Sequence, residues 1–386
     1  MKTVNGREFT AKSNITCKVL LRITAIVMAI TIGSTSLLAA CHLDATATTP
    51  PGGVKLQVIA FGDSLLDVGT YEQFAKANFD GGQFTTNPSK IFVQNLACTY
   101  GDLLLPAFQG GFGRPLAPSG GFDYAQGGSR VSMQPGINHA ATGTPNADFS
   151  RQTTIPVTDQ LNTYLSVNQR FHPNQLVVIN GGANDVFFNL EVAQRAGTAA
   201  ALQAAEQAIA QSASDLANVV DVVIAKGATH VVLLNLPDLG TTPQGFASAD
   251  HGQSLTQISQ LFNSTLQGAL QSKNLLDKIV LLDAFSLVDN IVTHFQDFGF
   301  KVSNTAMACN LQAQIEKATM LKLDNPTQFG ESLFCSPATF TTKDADESFM
   351  FADTVHPTTH LSAVISKAVE QQVISSRLVF QTDRDR

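Results

Sequence analysis

The 386-residue sequence contains no tryptophan, and only 14% of its residues are Asp, Glu, Lys or Arg. Sparse charge beside 44% hydrophobic residues excludes a disordered chain, which needs the opposite balance. No block of Lys and Arg interrupts a net charge of −7. Phosphate backbones are bound mainly by clustered cations, so nucleic acid is not an expected partner. No internal repeat is visible. No His-Glu-x-x-His and no Cys pair with zinc spacing occurs, so no metal cofactor is expected. Gly111-Phe112-Gly113 has no strand signal before it and no helix signal after it. A phosphate loop needs both, so the Gly- and Pro-rich stretch from Gln109 to Gly121 reads as a surface loop.

The N-terminus does not read as part of a fold. Lys12, Lys18 and Arg22 precede an uncharged apolar stretch from Ile23 to Ala40 that ends in small residues. This is the pattern of a secretory signal over residues 1–40. Its end, Leu38-Ala39-Ala40-Cys41, resembles a bacterial lipobox, in which the Cys is acylated and becomes the new N-terminus. The expected product is exported to the cell envelope and held to the membrane through Cys41. His42 follows, and no Asp stands there, which points to the outer membrane of a Gram-negative cell. Residues 41–53, rich in Ala, Thr and Pro, read as a tether.

Cysteine is scarce, with five in the chain. Cys17 lies in the signal and Cys41 is assigned to lipidation. Export implies an oxidising compartment, where disulfides persist. Cys309 and Cys335 share one late segment and are the expected pair. Cys98 lies in an apolar run and reads as a buried structural thiol.

Strand and helix signals alternate from Lys55 onward. Apolar runs at Leu56–Phe61, Leu176–Ile179, His230–Asn235 and Lys278–Leu282 read as strands. Pro88–Ala97, Ala199–Lys226, Leu255–Gln271 and Pro357–Val373 read as helices. This alternation predicts an α/β fold with a parallel sheet covered by helices on both faces. Residues 301–343 lack a clear strand and read as a rim or lid insertion. Ligands in such sheets sit beyond the carboxyl ends of the strands, so polar residues there are the chemical candidates.

Phe61-Gly62-Asp63-Ser64-Leu65-Leu66-Asp67 follows the first strand. Ser64 is expected to open a helix, where N–H groups and the helix dipole favour an oxyanion. The plain alternative is an ordinary N-cap. Asp353-Thr354-Val355-His356-Pro357 precedes the last helix. Asp353 there can hold His356 Nδ1–H and leave Nε2 free to take a proton from a hydroxyl. The plain alternative is an exposed capping pair. Asn184, in Gly181-Gly182-Ala183-Asn184-Asp185, offers an uncharged amide donor, or else a simple turn. Asp123-Tyr124-Ala125-Gln126-Gly127-Gly128 ends another strand-like run and offers a glycine N–H. Asp63 and Asp185 read as structural acids bonding turn backbones.

The order Gly-Asp-Ser-Leu, Gly, Gly-x-Asn-Asp and Asp-x-x-His resembles the GDSL family of SGNH hydrolases, from about Leu56 to Ile365. Gly82-Gln83-Phe84 followed by Asn87 is similar to a Gly-Arg-Phe-Ser-Asn region of many members, with Gln83 replacing Arg. The wording around Ser64 and His356 is similar to the bacterial esterase, phospholipase and lysophospholipase branch. The resemblance implies a flavodoxin-like three-layer α/β/α sandwich over residues 54–386. It also implies catalysis by Ser64, Asp353 and His356, with an oxyanion hole from Ser64, Asn184 and Gly128 or Gly127. The expected substrate is a small-molecule or lipid ester. Two other readings stand beside hydrolysis. One is acyl transfer through the same acyl-enzyme. The other is a non-catalytic envelope lipoprotein, for which holding all four of Ser64, Asn184, Asp353 and His356 would serve no purpose.

Overall fold

A computed structural model describes residues 50–376. The signal at 1–40, Cys41 and most of the 41–53 tether lie outside the described residues. Strands run in chain order as β1 (Gln57–Phe61), β2 (Phe108–Gly111), β3 (Arg114–Pro118), β4 (Gln175–Ile179), β5 (His230–Leu234) and β6 (Val280–Leu282). The α-helices are α1 (Glu72–Phe79), α2 (Phe92–Thr99), α3 (Ala147–Ser150), α4 (Val157–Asn168), α5 (Ala183–Ala196) and α6 (Ala199–Ala225). They continue as α7 (Pro243–Phe246), α8 (Gln253–Ser272), α9 (Ala284–Thr293), α10 (Leu311–Met320), α11 (Ala345–Ser348) and α12 (Thr359–Ser375).

The central sheet is parallel, in the order β1-β4-β5-β6. Every residue of β4, Gln-Leu-Val-Val-Ile, is buried, as a strand covered on both faces requires. Val58, Ala60, Leu176, Val178 and Val232 face α2 and α12 through Phe92, Leu96, Val369 and Val373. Ile59, Phe61, Val177, Ile179 and Val231 face α4, α6 and α8 through Leu161, Leu216, Val220 and Phe262. The result is three layers, α/β/α. Outside β1, Phe122 O accepts from Ala60 N at 3.1 Å and Tyr124 N donates to Ala60 O at 2.9 Å. Counting that short segment as the second strand, the order is 2-1-3-4-5, as in flavodoxin. Its switch point lies between β1 and β4, so the loops after those two strands share one crevice.

Helix α6 shows how composition and burial combine. Thr198 caps it by accepting from Ala201 N at 3.2 Å. Ala205, Ile209, Ala213, Leu216, Val220 and Val223 form a buried stripe at helical spacing. The helix is long and apolar enough to cross a membrane, but that stripe makes it a core helix here.

Two local expectations are corrected. The stretch Gln109–Gly121 is not a plain loop, because β2 and β3 pair there as an antiparallel hairpin. Its turn puts both Phe112 and Gly113 at positive φ, 51° and 92°. Phe112 tolerates this because its ring stacks on Phe74, with centroids 4.7 Å apart. Cys98 is half-buried, not fully buried. On α2 the core-facing stripe is Phe92, Val93, Leu96 and Ala97, and Cys98 lies beside it. The late segment 301–343 contains α10 and a packed aromatic cluster. Its Phe329, Leu333 and Phe334 join Tyr71, Phe79 and Phe84.

Cys309 and Cys335 are bonded, with Cα atoms 5.8 Å apart across 26 residues of sequence. Cys309 N donates to Ala352 O at 2.9 Å and Ala308 N to Phe351 O at 2.8 Å. The bridge therefore fixes the segment next to Asp353. Replacing both cysteines by serine is expected to lower unfolding free energy by about 3–4 kcal/mol in the chain-entropy description. Urea unfolding of the variant with and without reductant measures this, and the wild type should match the variant only when reduced.

Candidate active site

Ser64 stands in a turn one step past β1. No regular helix follows it directly: Leu66 N and Asp67 N close one turn on Asp63 O, and α1 begins only at Glu72. The expected helix dipole behind Ser64 is therefore absent. Side chains lock the turn instead. Gln160 of α4 accepts from Gly62 N and donates to Gly62 O, both at 2.8 Å. Asn180, at the end of β4, accepts from Asp63 N at 3.1 Å and donates to Asp63 Oδ1 at 2.7 Å. Only glycine fits at position 62, since a Cβ there would lie 1.8 Å from Asn180 Oδ1. Asp63 also accepts from Leu65 N at 3.1 Å. Burial raises its carboxyl above the usual range, against the pull of those donors. Asp63 thus holds the turn.

The Ser64 hydroxyl donates to His356 Nε2 at 2.8 Å. His356 Nδ1 lies 2.7 Å from Asp353 Oδ2 and 2.9 Å from Oδ1. A carboxylate only accepts, so Nδ1 carries the proton and Nε2 offers its lone pair to Ser64. Asp353 Oδ1 also accepts from Val355 N at 2.9 Å and His356 N at 2.8 Å. Ser332, from the late segment, donates its N–H to Asp353 Oδ2 at 2.7 Å. These charge-assisted bonds and the facing imidazole outweigh burial and hold Asp353 well below the usual carboxylate range. Burial pulls the imidazole of His356 down, but Asp353, then Glu331 and Asp63, outweigh it, and the net shift is upward.

The region resembling Gly-Arg-Phe-Ser-Asn supports this pair. The ring of Phe84 lies 5.1 Å from that of His356, centroid to centroid. Thr85 Oγ1 donates to Pro357 O at 3.0 Å. Asn87 Nδ2 donates to Ser332 O at 3.2 Å. Gln83, where Arg was expected, donates to Val68 O at 2.9 Å. His360 is turned away, with Nδ1 on Glu347 O at 2.6 Å and its ring against Phe300.

The candidate oxyanion donors lie on the neighbouring loops. Gly127 N donates to Asp67 Oδ2 at 2.9 Å, which occupies it. Gly128 N has no acceptor among the described residues, nor has Ser64 N. Gly128 is therefore the better placed of the two glycines left open by the sequence. Asn184 donates one amide hydrogen to Ser129 O at 2.9 Å, which leaves the other for a ligand. It sits in the first turn of α5, so the positive helix end belongs to Asn184 rather than to Ser64. Gly182 allows that start, because a Cβ there would meet the Phe262 ring at 2.3 Å and its φ is 115°. A nucleophile, a base and an acid stand in one hydrogen-bonded line, and Asn184 lines the same cavity as Ser64 and His356.

A family model for GDSL-like lipase/acylhydrolase matches residues 58–369. The chain belongs to the GDSL family. It is an acylhydrolase. No curated protein shows significant similarity to the chain.

In this GDSL acylhydrolase the site opens into a cavity of about 1050 Å³. Ser64, Asn184 and His356 line it. One apolar wall comes from Leu190, Leu202, Leu236, Leu239 and Leu255, and another from Phe92, Leu287, Val288, Leu361 and Ile365. Thr327, Gln328, Gly330 and Glu331 of the late segment also line it.

Sequence reading missed several supporting residues of the GDSL site. Asp67 was visible in the motif but not its work. Its Oδ1 accepts from Gly69 N and Thr70 N, and its Oδ2 accepts from the N–H of the Gln126–Gly127 peptide, one residue before Gly128. Gln160, Asn180 and Ser332 gave no local signal, because each acts across at least 21 residues of sequence. Asp185 accepts from Val131 N at 2.9 Å and pairs with Arg130 Nε at 3.3 Å. Burial pushes it up to about 6 despite both partners. It braces the loop that carries Gly128 and Ser129.

Proposed function

We propose that this acylhydrolase cleaves carboxylic esters of long-chain acids through an acyl-enzyme on Ser64. His356 takes the Ser64 proton as Oγ bonds to the acyl carbon, and Asp353 stabilises the imidazolium. Ser64 N, Gly128 N and Asn184 Nδ2 receive the oxyanion. His356 returns the proton to the leaving alcohol, and water repeats the sequence to free the acid. The observation that carries this reading is the continuous Ser64–His356–Asp353 hydrogen-bond chain, at 2.8 and 2.7 Å, opening into an apolar cavity. Two apolar walls suit an acyl chain, whose burial contributes about 0.8 kcal/mol per CH₂. On p-nitrophenyl esters from acetate to palmitate, kcat/KM is expected to rise with chain length to at least about eight carbons. A profile that peaks at acetate rejects the lipid substrate and leaves the ester chemistry standing. Acyl transfer uses the same acyl-enzyme, and added long-chain alcohol separates the two by ester formation.

We also propose that the protein is exported and anchored to the outer membrane through an acylated Cys41. The apolar run before Leu38-Ala39-Ala40-Cys41 supports this. Cys41→Ser is expected to release the protein from the membrane fraction. A variant that stays bound after a high-salt wash rejects the anchor.

A further inference from the structure

Glu331 enters the cavity from the late segment, beside the catalytic pair. Its chain neighbour Ser332 donates its N–H to Asp353 Oδ2 at 2.7 Å. One peptide therefore separates Glu331 from a group bonded to the acid of the triad. Two amides fix its carboxyl. Asn138 Nδ2 donates to Oε2 at 2.8 Å and Gln152 Nε2 donates to Oε1 at 2.7 Å. Glu331, Asn138 and His356 line the same cavity. A carboxyl clamped in this way is held in place in the cavity, yet the reaction as written does not use it.

We propose that Glu331 is a second carboxyl partner of His356, a positioning residue that sets the charge of the base through space. This rests on the reading of Ser64 and His356 given above. Asp353 acts on Nδ1 by direct contact, whereas Glu331 acts through space on the imidazolium that forms when the Ser64 proton arrives.

The charges around Glu331 come from three sides. Burial pushes its carboxyl up to about 8. The His356 imidazole opposes that, Asp353 reinforces it, and Arg151 opposes it. Asp324 faces Arg151 in turn, and Asp63 faces His356 from the turn after β1. His356 is itself raised. The charge of each group bears on the other, so their titration steps belong to the pair. As pH rises and Glu331 ionises, His356 gains a facing negative charge and becomes a stronger base.

The sign of the test follows. Glu331→Gln keeps the shape and removes the charge, so His356 loses its proton at lower pH. The acid limb of log kcat/KM is expected to move down by about one unit, the usual effect of a nearby charge. Its plateau should fall by up to about tenfold, the same unit expressed as transition-state stabilisation. The second readout does not depend on turnover. In Ser64→Ala protein, the NMR shift of the His356 ring should titrate in two steps with Glu331 present, and in one lower step with Gln. An unmoved His356 midpoint overturns the proposal, as does a uniform loss of activity at every pH. Should Glu331→Gln fail to fold, a single-step His356 titration in the Ser64→Ala protein overturns it equally. Should Ser64→Ala keep ester turnover, the catalytic reading fails, and the NMR result still judges the coupling.

Discussion

Ser64→Ala is expected to lower kcat/KM for a long-chain ester by about 10⁶-fold, and His356→Ala by a similar factor. The double variant should lose little more. The two side chains share one hydrogen bond of 2.8 Å and act as one unit, so the second removal takes away what the first has already disabled. Asp353→Asn should lose about 10⁴-fold, because an amide no longer fixes the tautomer of His356. His360→Ala should keep near-wild-type turnover, since its ring is held on Glu347 and Phe300. Steady-state kinetics on one ester tests all five variants. The pH profile adds a sign. The base works only when neutral, so activity rises as His356 loses its proton. His356 is raised, so that rise should be centred above the ordinary histidine value of about 6.5. A His356→Ala enzyme with near-wild-type kcat removes it from the site and leaves family membership intact.

Asn184→Ala is expected to lower kcat by about 10²–10³-fold with little change in KM, the usual loss for one oxyanion donor. The amide is already oriented by its bond to Ser129 O at 2.9 Å. It therefore meets the developing charge without rearranging, which is where such a donor gains its strength. It also stands at the positive end of α5, a 14-residue helix. Asn184→Asp should be worse than Ala, because it sets a negative charge against an oxyanion. If the alanine variant keeps its kcat, Asn184 leaves the oxyanion assignment. Circular dichroism of the same variants checks that α5 has not unravelled.

The core of the fold was legible because its strands are written as unbroken apolar runs. Leu176–Ile179 has no polar alternate, and neither does Val231–Leu234, so a doubly covered parallel sheet was the direct reading. Ser64, Asn184, Asp353 and His356 were legible because each sits in a short local pattern. The rest was hidden for a common reason. The α-helix expected behind Ser64 is replaced by a turn that Asn180 and Gln160 hold, and these lie 117 and 98 residues away. The hairpin of β2 and β3 hides because Phe112 adopts positive φ for the sake of an aromatic cluster assembled from three segments. Gly127 and Gly128 could not be separated until Asp67 was seen to occupy one of them. Sequence patterns report local preference, whereas these features are set by partners that only the folded chain brings near.

Ser64 and His356 lie 292 residues apart along the chain. A polypeptide is made from its N-terminus, and domains assemble as the chain grows. The serine therefore emerges early, and its base arrives near the end of synthesis. The clamp on Asp353 from Ser332 and the Cys309–Cys335 bridge are late as well. A growing chain that has already paired β1, β4 and β5 still carries an unarmed serine. The hydrolase is thereby unarmed until its last segment is in place, and order of synthesis acts as a timer on the chemistry.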